Sequence, residues 1–234
     1  MLFRSERTEG QTHVGLLVPA SIGGALANVA TTFAGKTAVN LNFTAGAESM
    51  AHAVERCGIR TILTSRVFLA KASMEPMDGM VFLEDLMAQM PAAAKLRTLV
   101  LSFLMPAPLI ARLHLAPASA TQHAAVIFSS GSTGTPKGVI LSHRNVLANI
   151  DAITQLFEVG PSDTLLGALP FFHSFGFTVT IWFPLVSGFG VAYHPNPMDA
   201  KAIGELAERY KATRSEEHTS ELQSHLNLVC RLLL

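Results

Sequence analysis

Cysteine, an excess of charge of either sign, and an apolar N-terminal run are what this 234-residue sequence has least of. Lys and Arg together number 17, as do Asp and Glu, so the formal net charge is zero. Nothing in that balance suggests a nucleic-acid or anionic-membrane surface. Two cysteines, Cys57 and Cys230, supply neither a disulfide framework nor metal-ligand spacing, and a reduced, cytoplasmic compartment is expected. Met1 to His13 is polar and of mixed charge, without the apolar core of a signal peptide. The uncharged stretch Phe175 to Tyr193 approaches the length of a membrane span. Gly176, Pro184, Gly188 and Gly190 divide it, however, and a buried helix near Thr178 to Leu185 followed by a strand near Gly190 to Tyr193 has the same uncharged look.

What the chain does have is 49% apolar residues, enough for a core at this length. Val14-Gly15-Leu16-Leu17-Val18, closed by Pro19, reads as a buried parallel strand. Ser21 is placed to cap a helix through Ala34, stopped by Gly35. Strands at Thr37 to Leu41 and Thr61 to Thr64 flank a helix from Ala47 to Arg56, and another strand is expected at Met80 to Leu83. Glu84 and Asp85 suit the first turn of a short helix. The basic, apolar stretch Leu96 to Leu115 reads either as a surface helix touching lipid or as a covered connection in the core. The covered connection is favoured, and Pro106 and Pro108 argue against one long straight helix. Further on, Ser142 caps a helix with Val146, Leu147, Ile150, Ile153 and Phe157 at helical spacing. A turn at Gly160 to Asp163 and a strand at Thr164 to Leu169 follow. Strands interleaved with helices imply an α/β fold built of βαβ units around a mostly parallel sheet.

The stretch around which this pattern is organised is Ser129-Ser130-Gly131-Ser132-Thr133-Gly134-Thr135-Pro136-Lys137-Gly138. Its ten residues hold three glycines, five hydroxyls, one proline and one lysine, between the apolar runs Ala124 to Phe128 and Val139 to Leu141. Glycine and proline make it a poor helix or ladder. A bend can instead aim several N–H groups at one point, which is how backbones hold phosphate oxygens. Lys137 adds a compact cation suited to a polyphosphate. A Walker loop is excluded because Pro136 stands where its second glycine belongs and Gly138 follows the lysine. The spacing also fits neither a dinucleotide fingerprint nor a nucleophile elbow.

The hydroxyl-rich segment ending in Thr133-Gly134-Thr135-Pro136-Lys137-Gly138 resembles the phosphate-binding signature of the adenylate-forming family: acyl-CoA synthetases, nonribosomal adenylation domains and luciferases. Leu141-Ser142-His143-Arg144-Asn145 and Leu169-Pro170-Phe171-Phe172-His173-Ser174-Phe175-Gly176 are similar to the family's next motifs. Detail from Val14 to Pro197 most resembles the fatty acid–acyl carrier protein ligase half of bacterial 2-acylglycerophosphoethanolamine acyltransferases. The resemblance implies an incomplete N-terminal domain of an adenylate-forming enzyme over 14–213, preceded by a lead-in at 1–13. It implies ATP and Mg²⁺, a long-chain fatty acid as substrate, and acyl carrier protein or coenzyme A as acceptor. Ser129, Ser130, Ser132, Thr133 and Thr135 would hold phosphates with the N–H groups of Gly131, Gly134 and Gly138, Lys137 acting as mobile countercharge. A peripheral contact with the inner face of the membrane is left open.

By itself, His173 among Phe171, Phe172 and Phe175 reads as a core histidine. The resemblance instead puts it at the wall between nucleotide and acyl pockets, the three phenylalanines lining an apolar tunnel. His194 and Asp199 fit H-x-x-x-x-D, a pattern resembling the dyad of glycerolipid acyltransferases. Pro195 and Pro197 extend the segment between them, so a strand exit followed by a helix cap at Asp199 is expected, with the helix running from Ala200 to Tyr210. A lysophospholipid acyltransferase or a non-catalytic nucleotide-binding fragment are the alternatives to a ligase. From Arg214 the text turns polar and resembles the translation of a short-read sequencing adapter, so 214–234 is expected to be a non-native tail, giving Cys230 and His218 no function. The family's adenine-binding segment, ribose-binding aspartate and catalytic lysine have no counterpart here, so the chain as given is expected to be inactive. No metal ligands are identified.

Overall fold

The computed structural model describes residues 8, 10–129 and 136–215. They fall into two units, one holding the residues up to Pro19 with Gly23–Val146, the other Ala20–Ile22 with the residues from Leu147 onward.

In the first unit, β1 (His13–Leu17), β2 (Thr37–Asn40), β3 (Ile62–Thr64) and β4 (Met80–Phe82) are joined by α1 (Ile22–Phe33), α2 (Ala47–Arg56) and α3 (Arg66–Ala72). After α4 (Leu83–Ala88), α5 (Ala92–Leu104) and α6 (Ala107–His114), the chain returns as β5 (His123–Ser129) and β6 (Lys137–Ser142). The sheet order is β4-β3-β1-β2-β5-β6, parallel throughout except for the antiparallel β5–β6 pair. Side chains alternate between its two faces. Leu17, Val39 and Ile62 pack with Met50 and Ala53 of α2 and Leu69 of α3. Their sequence neighbours Leu16, Ala38 and Leu63 pack with Ala27 of α1 on the other face. Both faces are covered, which is why these strands read as unbroken apolar runs. Asn28 of α1 and Asn40 of β2, both buried, exchange side-chain amide hydrogen bonds of 3.1 and 2.8 Å, and Asn28 also donates to Gly24 O at 3.0 Å.

In the second unit, β7 (Thr164–Gly167) lies between β8 (Gly190–Tyr193) and β9 (Arg214–Ser215), parallel to both. Between β7 and β8 the chain is helical from Ser174 to Ser187: α8 (Ser174–Phe177), one π-helical turn (Thr178–Trp182) and α9 (Phe183–Ser187). The apolar run is therefore a helix, buried from Phe175 to Pro184 except at half-buried Trp182 but exposed at Leu185 and Val186, followed by a strand in which Ala192 is buried. No helix among the described residues is long and apolar enough to cross a membrane. The helix begins earlier than expected, and Gly176 lies inside it. α10 (Ala200–Tyr210) leads to β9. α7 (His143–Leu156) spans the boundary between the units. Val146, Ile150 and Ile153 are buried as expected, whereas Leu147 is exposed.

Leu96 to Leu115 departs from the core connection anticipated for it. It forms two helices, neither with a buried residue. Met105 is extended ahead of Pro106, as the residue before a proline prefers, while Pro108 is tolerated in the first turn of α6. The helix α3 was not anticipated. Ser65 caps it, its Oγ accepting from Phe68 N at 3.4 Å, while Glu84 accepts from the Ser65 hydroxyl at 2.6 Å and from Arg66 N at 3.0 Å.

Candidate functional site

Strands β5 and β6 form a hairpin whose register places Ser129 opposite Lys137, Phe128 opposite Gly138 and Ile127 opposite Val139. Because β5 runs parallel to β2, Ser129 stands at the carboxyl end of the parallel strands, the edge at which α/β sheets bind ligands. Ser129 Oγ donates to Lys137 O at 3.4 Å, a long contact at the base of the bend. Lys137 is exposed and Pro136 half-buried. Ser130, Gly131, Ser132, Thr133, Gly134 and Thr135 lie outside the described residues. Gly138 is there for space: a Cβ on it would come within 3.0 Å of Val126 and 3.2 Å of the Phe128 ring.

The segment after β6 explains itself as a helix start. Asn145 Oδ1 accepts from Ser142 N (3.0 Å) and Ser142 Oγ (2.6 Å), while Ser142 Oγ accepts from Asn145 N (3.2 Å). This reciprocal arrangement satisfies donors that an uncapped helix leaves open. His143 N and Arg144 N donate to Gln122 O (3.1 Å) and Ala120 O (2.8 Å), tying the start of α7 to the chain entering β5. Burial holds the His143 imidazole below its ordinary pKa.

The third motif belongs to the second unit. Phe171 is fully buried and meets Tyr193 of β8 edge-to-face, with ring centroids 5.8 Å apart. Phe175 is buried and Phe172 half-buried. His173 is exposed, so the core reading of this histidine does not hold. Its ring Nδ1 accepts from Phe175 N at 3.3 Å, capping α8, because the first turn of a helix has N–H groups to satisfy. A cavity of about 140 Å³ in this unit is lined instead by Phe157, Leu165, Val179, Phe183 and Phe189, with Thr213 to Ser215 along one side. None of its residues belongs to the motif.

His194 and Asp199 are each engaged locally. His194 Nδ1 lies 2.9 Å from Asn196 O, and Asp199 Oδ1 accepts from Ala202 N at 3.0 Å as the cap of α10. This matches the strand exit and cap expected of them. Arg214 and Ser215, where the polar tail was expected to begin, pair with β7 as β9. Arg214 donates to Glu158 O at 2.7 Å and lies 3.5 Å from Asp163. The Thr213 hydroxyl donates to Asp163 at 2.6 Å and Gly160 N donates at 2.9 Å, which hold the Asp163 carboxyl below its ordinary pKa. Among the described residues no group of three or more His, Cys, Asp and Glu is placed to hold a metal ion.

Several characterised proteins are similar to this chain. A sulfoacetate–CoA ligase of Cupriavidus necator is 37% identical over 109 residues, 47% of this chain and 21% of that protein. A long-chain-fatty-acid–CoA ligase of Bacillus subtilis is 32% identical over 88 residues, 37% of this chain and 16% of that one. The solved o-succinylbenzoate CoA synthetase of B. subtilis, in complex with ATP and magnesium, superposes with a TM-score of 0.66 at 19% identity. That match covers 88% of this chain and 50% of the synthetase, and it speaks to the fold. The chain thus spans half or less of each of these proteins. The family model described as AMP-binding enzyme matches residues 2–215, and with the parallel sheet, the β5–β6 hairpin and the capped segments in place, the chain belongs to the AMP-binding enzyme family.

Proposed function

We propose that the complete protein is an ATP-dependent acid–thiol ligase that activates a long-chain fatty acid, and that this chain, over 14–213, carries the phosphate-gripping part of its N-terminal domain. In the first step the fatty acid carboxylate attacks the α-phosphorus of ATP, forming an acyl–phosphate bond and releasing pyrophosphate. In the second a thiolate attacks the acyl carbon and AMP leaves. The acceptor is the phosphopantetheine thiol of acyl carrier protein or coenzyme A, the first being favoured by the likeness to acyl carrier protein ligases. Both steps depend on positioning and charge neutralisation. Ser129, Ser130, Ser132, Thr133 and Thr135, with the N–H groups of Gly131, Gly134 and Gly138, are assigned to the β- and γ-phosphates, and Lys137 to their charge. Mg²⁺ fits as a phosphate-bound ion that keeps several waters, which needs no dedicated protein cage. His173, Phe171, Phe172 and Phe175 are assigned to the boundary of the acyl pocket.

The observation that carries this reading is the pairing of Ser129 with an exposed Lys137 at the carboxyl end of the parallel strands. It holds both ends of the alcohol-rich bend at the sheet's ligand-binding edge. The test is palmitate-dependent ATP–pyrophosphate exchange by the complete protein in Mg²⁺. We expect Lys137→Ala to slow it about a hundredfold, the usual loss for one preorganised charge-stabilising donor. Exchange unaffected by that change would overturn the assignment. The 234-residue chain alone should release no pyrophosphate above background, and comparing acyl carrier protein with coenzyme A as acceptor decides between the thiols.

A further inference from the structure

Along α5, Leu96, Leu99, Val100, Phe103 and Leu104 recur at i, i+3, i+4, i+7 and i+8, which puts them on one stripe. A stripe with that spacing ordinarily faces a core. Here its members are 62%, 55%, 44%, 83% and 74% exposed, and the other side is no better covered: Ala94, Thr98 and Ser102 are exposed and only Leu101 in the helix is half-buried. The stripe is therefore open to solvent along its whole length. Helix α6 adds Leu109 and Leu113, one turn apart and both exposed. Single exposed leucines need no explanation, but a contiguous apolar stripe marks a surface that something covers.

Charge indicates what covers it. No Asp or Glu occurs between Asp85 and Asp151, while α5 and α6 carry Lys95, Arg97 and Arg112. In a helix of 3.6 residues per turn, Lys95 and Arg97 fall at the two edges of the stripe. There their aliphatic stems extend the apolar face and their charged ends reach past it. A second copy is a poor occupant, since a two-fold interface would set these cations against themselves with no acidic residue in either helix to pair them. An anionic lipid surface matches both properties.

We propose that α5 and α6 form an in-plane docking face for an anionic lipid bilayer, the apolar stripe entering the headgroup–acyl boundary and Lys95, Arg97 and Arg112 meeting lipid phosphates. The inference does not depend on the ligase reading. Its test is co-sedimentation of the 234-residue chain with vesicles of phosphatidylcholine alone and of phosphatidylcholine mixed with phosphatidylglycerol. Binding is expected to the mixed vesicles and to weaken with salt. We expect Leu99→Glu with Phe103→Glu to reduce partitioning by about tenfold or more, because it places charge in the buried stripe. The conservative variant Phe103→Trp keeps the face and reports directly: its emission should shift to the blue on adding mixed vesicles, against the parent chain with Trp182 alone. Three results would overturn the proposal: vesicle binding unchanged in a normally folded double-glutamate variant, no blue shift in Phe103→Trp, or a lipid-independent dimer that Phe103→Glu dissociates, which would assign the face to a second copy.

Discussion

A Cβ at position 176 would lie 2.3 Å from Pro170 O and 3.0 Å from Leu169 O. The glycine that ends the Leu169-to-Gly176 motif is therefore required by a backbone seated against the first turn of α8. Backbone cannot rotate away as a flexible side chain can, so Gly176→Ala should lower stability by about 1–3 kcal/mol, the usual cost of overpacking. Thermal unfolding checks this, and an unchanged midpoint would show that the approach is looser. Gly138 is a milder case, because its closest neighbours are the side chains of Val126 and Phe128. The motif glycines were visible in the sequence, but their reasons were not. Nothing local to Gly176 reveals that a carbonyl six residues earlier folds back onto it. His173 shows the same limit from the other direction. Its aromatic neighbours suggested burial, yet the start of α8 uses its ring as an exposed cap.

Elements announced themselves where period and punctuation agreed. The helix α2 keeps the bounds read from sequence, with its stop at Gly58, which adopts φ +58°. The β5–β6 hairpin was legible because two apolar runs flank a segment that can only bend. The helix α3 was not, since its cap is completed by Glu84, nineteen positions along the chain from Ser65. The strand β9 was hidden for a related reason. Arg214 and Ser215 have no apolar signal, and their place beside β7 is held by Asp163, Thr213 and Glu158. The start of β1 carries a pH dependence. Burial, and then the neighbouring His123, hold the His13 imidazole below its ordinary pKa, so folding favours its neutral form. The stability from that preference is full above the unfolded value of about 6.5 and is lost as pH falls below it. The His143 imidazole, lowered by burial, acts in the same direction. The thermal midpoint should therefore fall between about pH 7 and pH 5.5, and His13→Gln should flatten that slope. Equal slopes in the parent and the variant would remove His13 from the account.

At the scale of the whole molecule, zero net charge is joined to an uncovered apolar stripe. With no net repulsion between copies near neutral pH, non-specific association away from the cationic face of α5 and α6 is least opposed there. Nine histidines add positive charge as the solution is acidified. Solubility at low salt should accordingly pass through a minimum near neutrality and recover on the acid side while the fold persists, as light scattering against pH would read. A minimum displaced well away from neutral pH would mean that specific contacts, not net charge, govern association. The two units repeat one scheme, parallel strands with helices between them, and each is recognisable as α/β from its alternation alone.

The sequence by itself determined the fold class, most strand and helix positions, the bend between β5 and β6, and the family resemblance, because those depend on residues close together in the chain. Tertiary structure alone decided which apolar faces are covered. Leu16 and Leu17 are adjacent and both buried, on opposite faces of one sheet, whereas the equally apolar stripe of α5 lies open. Periodicity records that a face is apolar, but what meets that face is set by segments far along the chain.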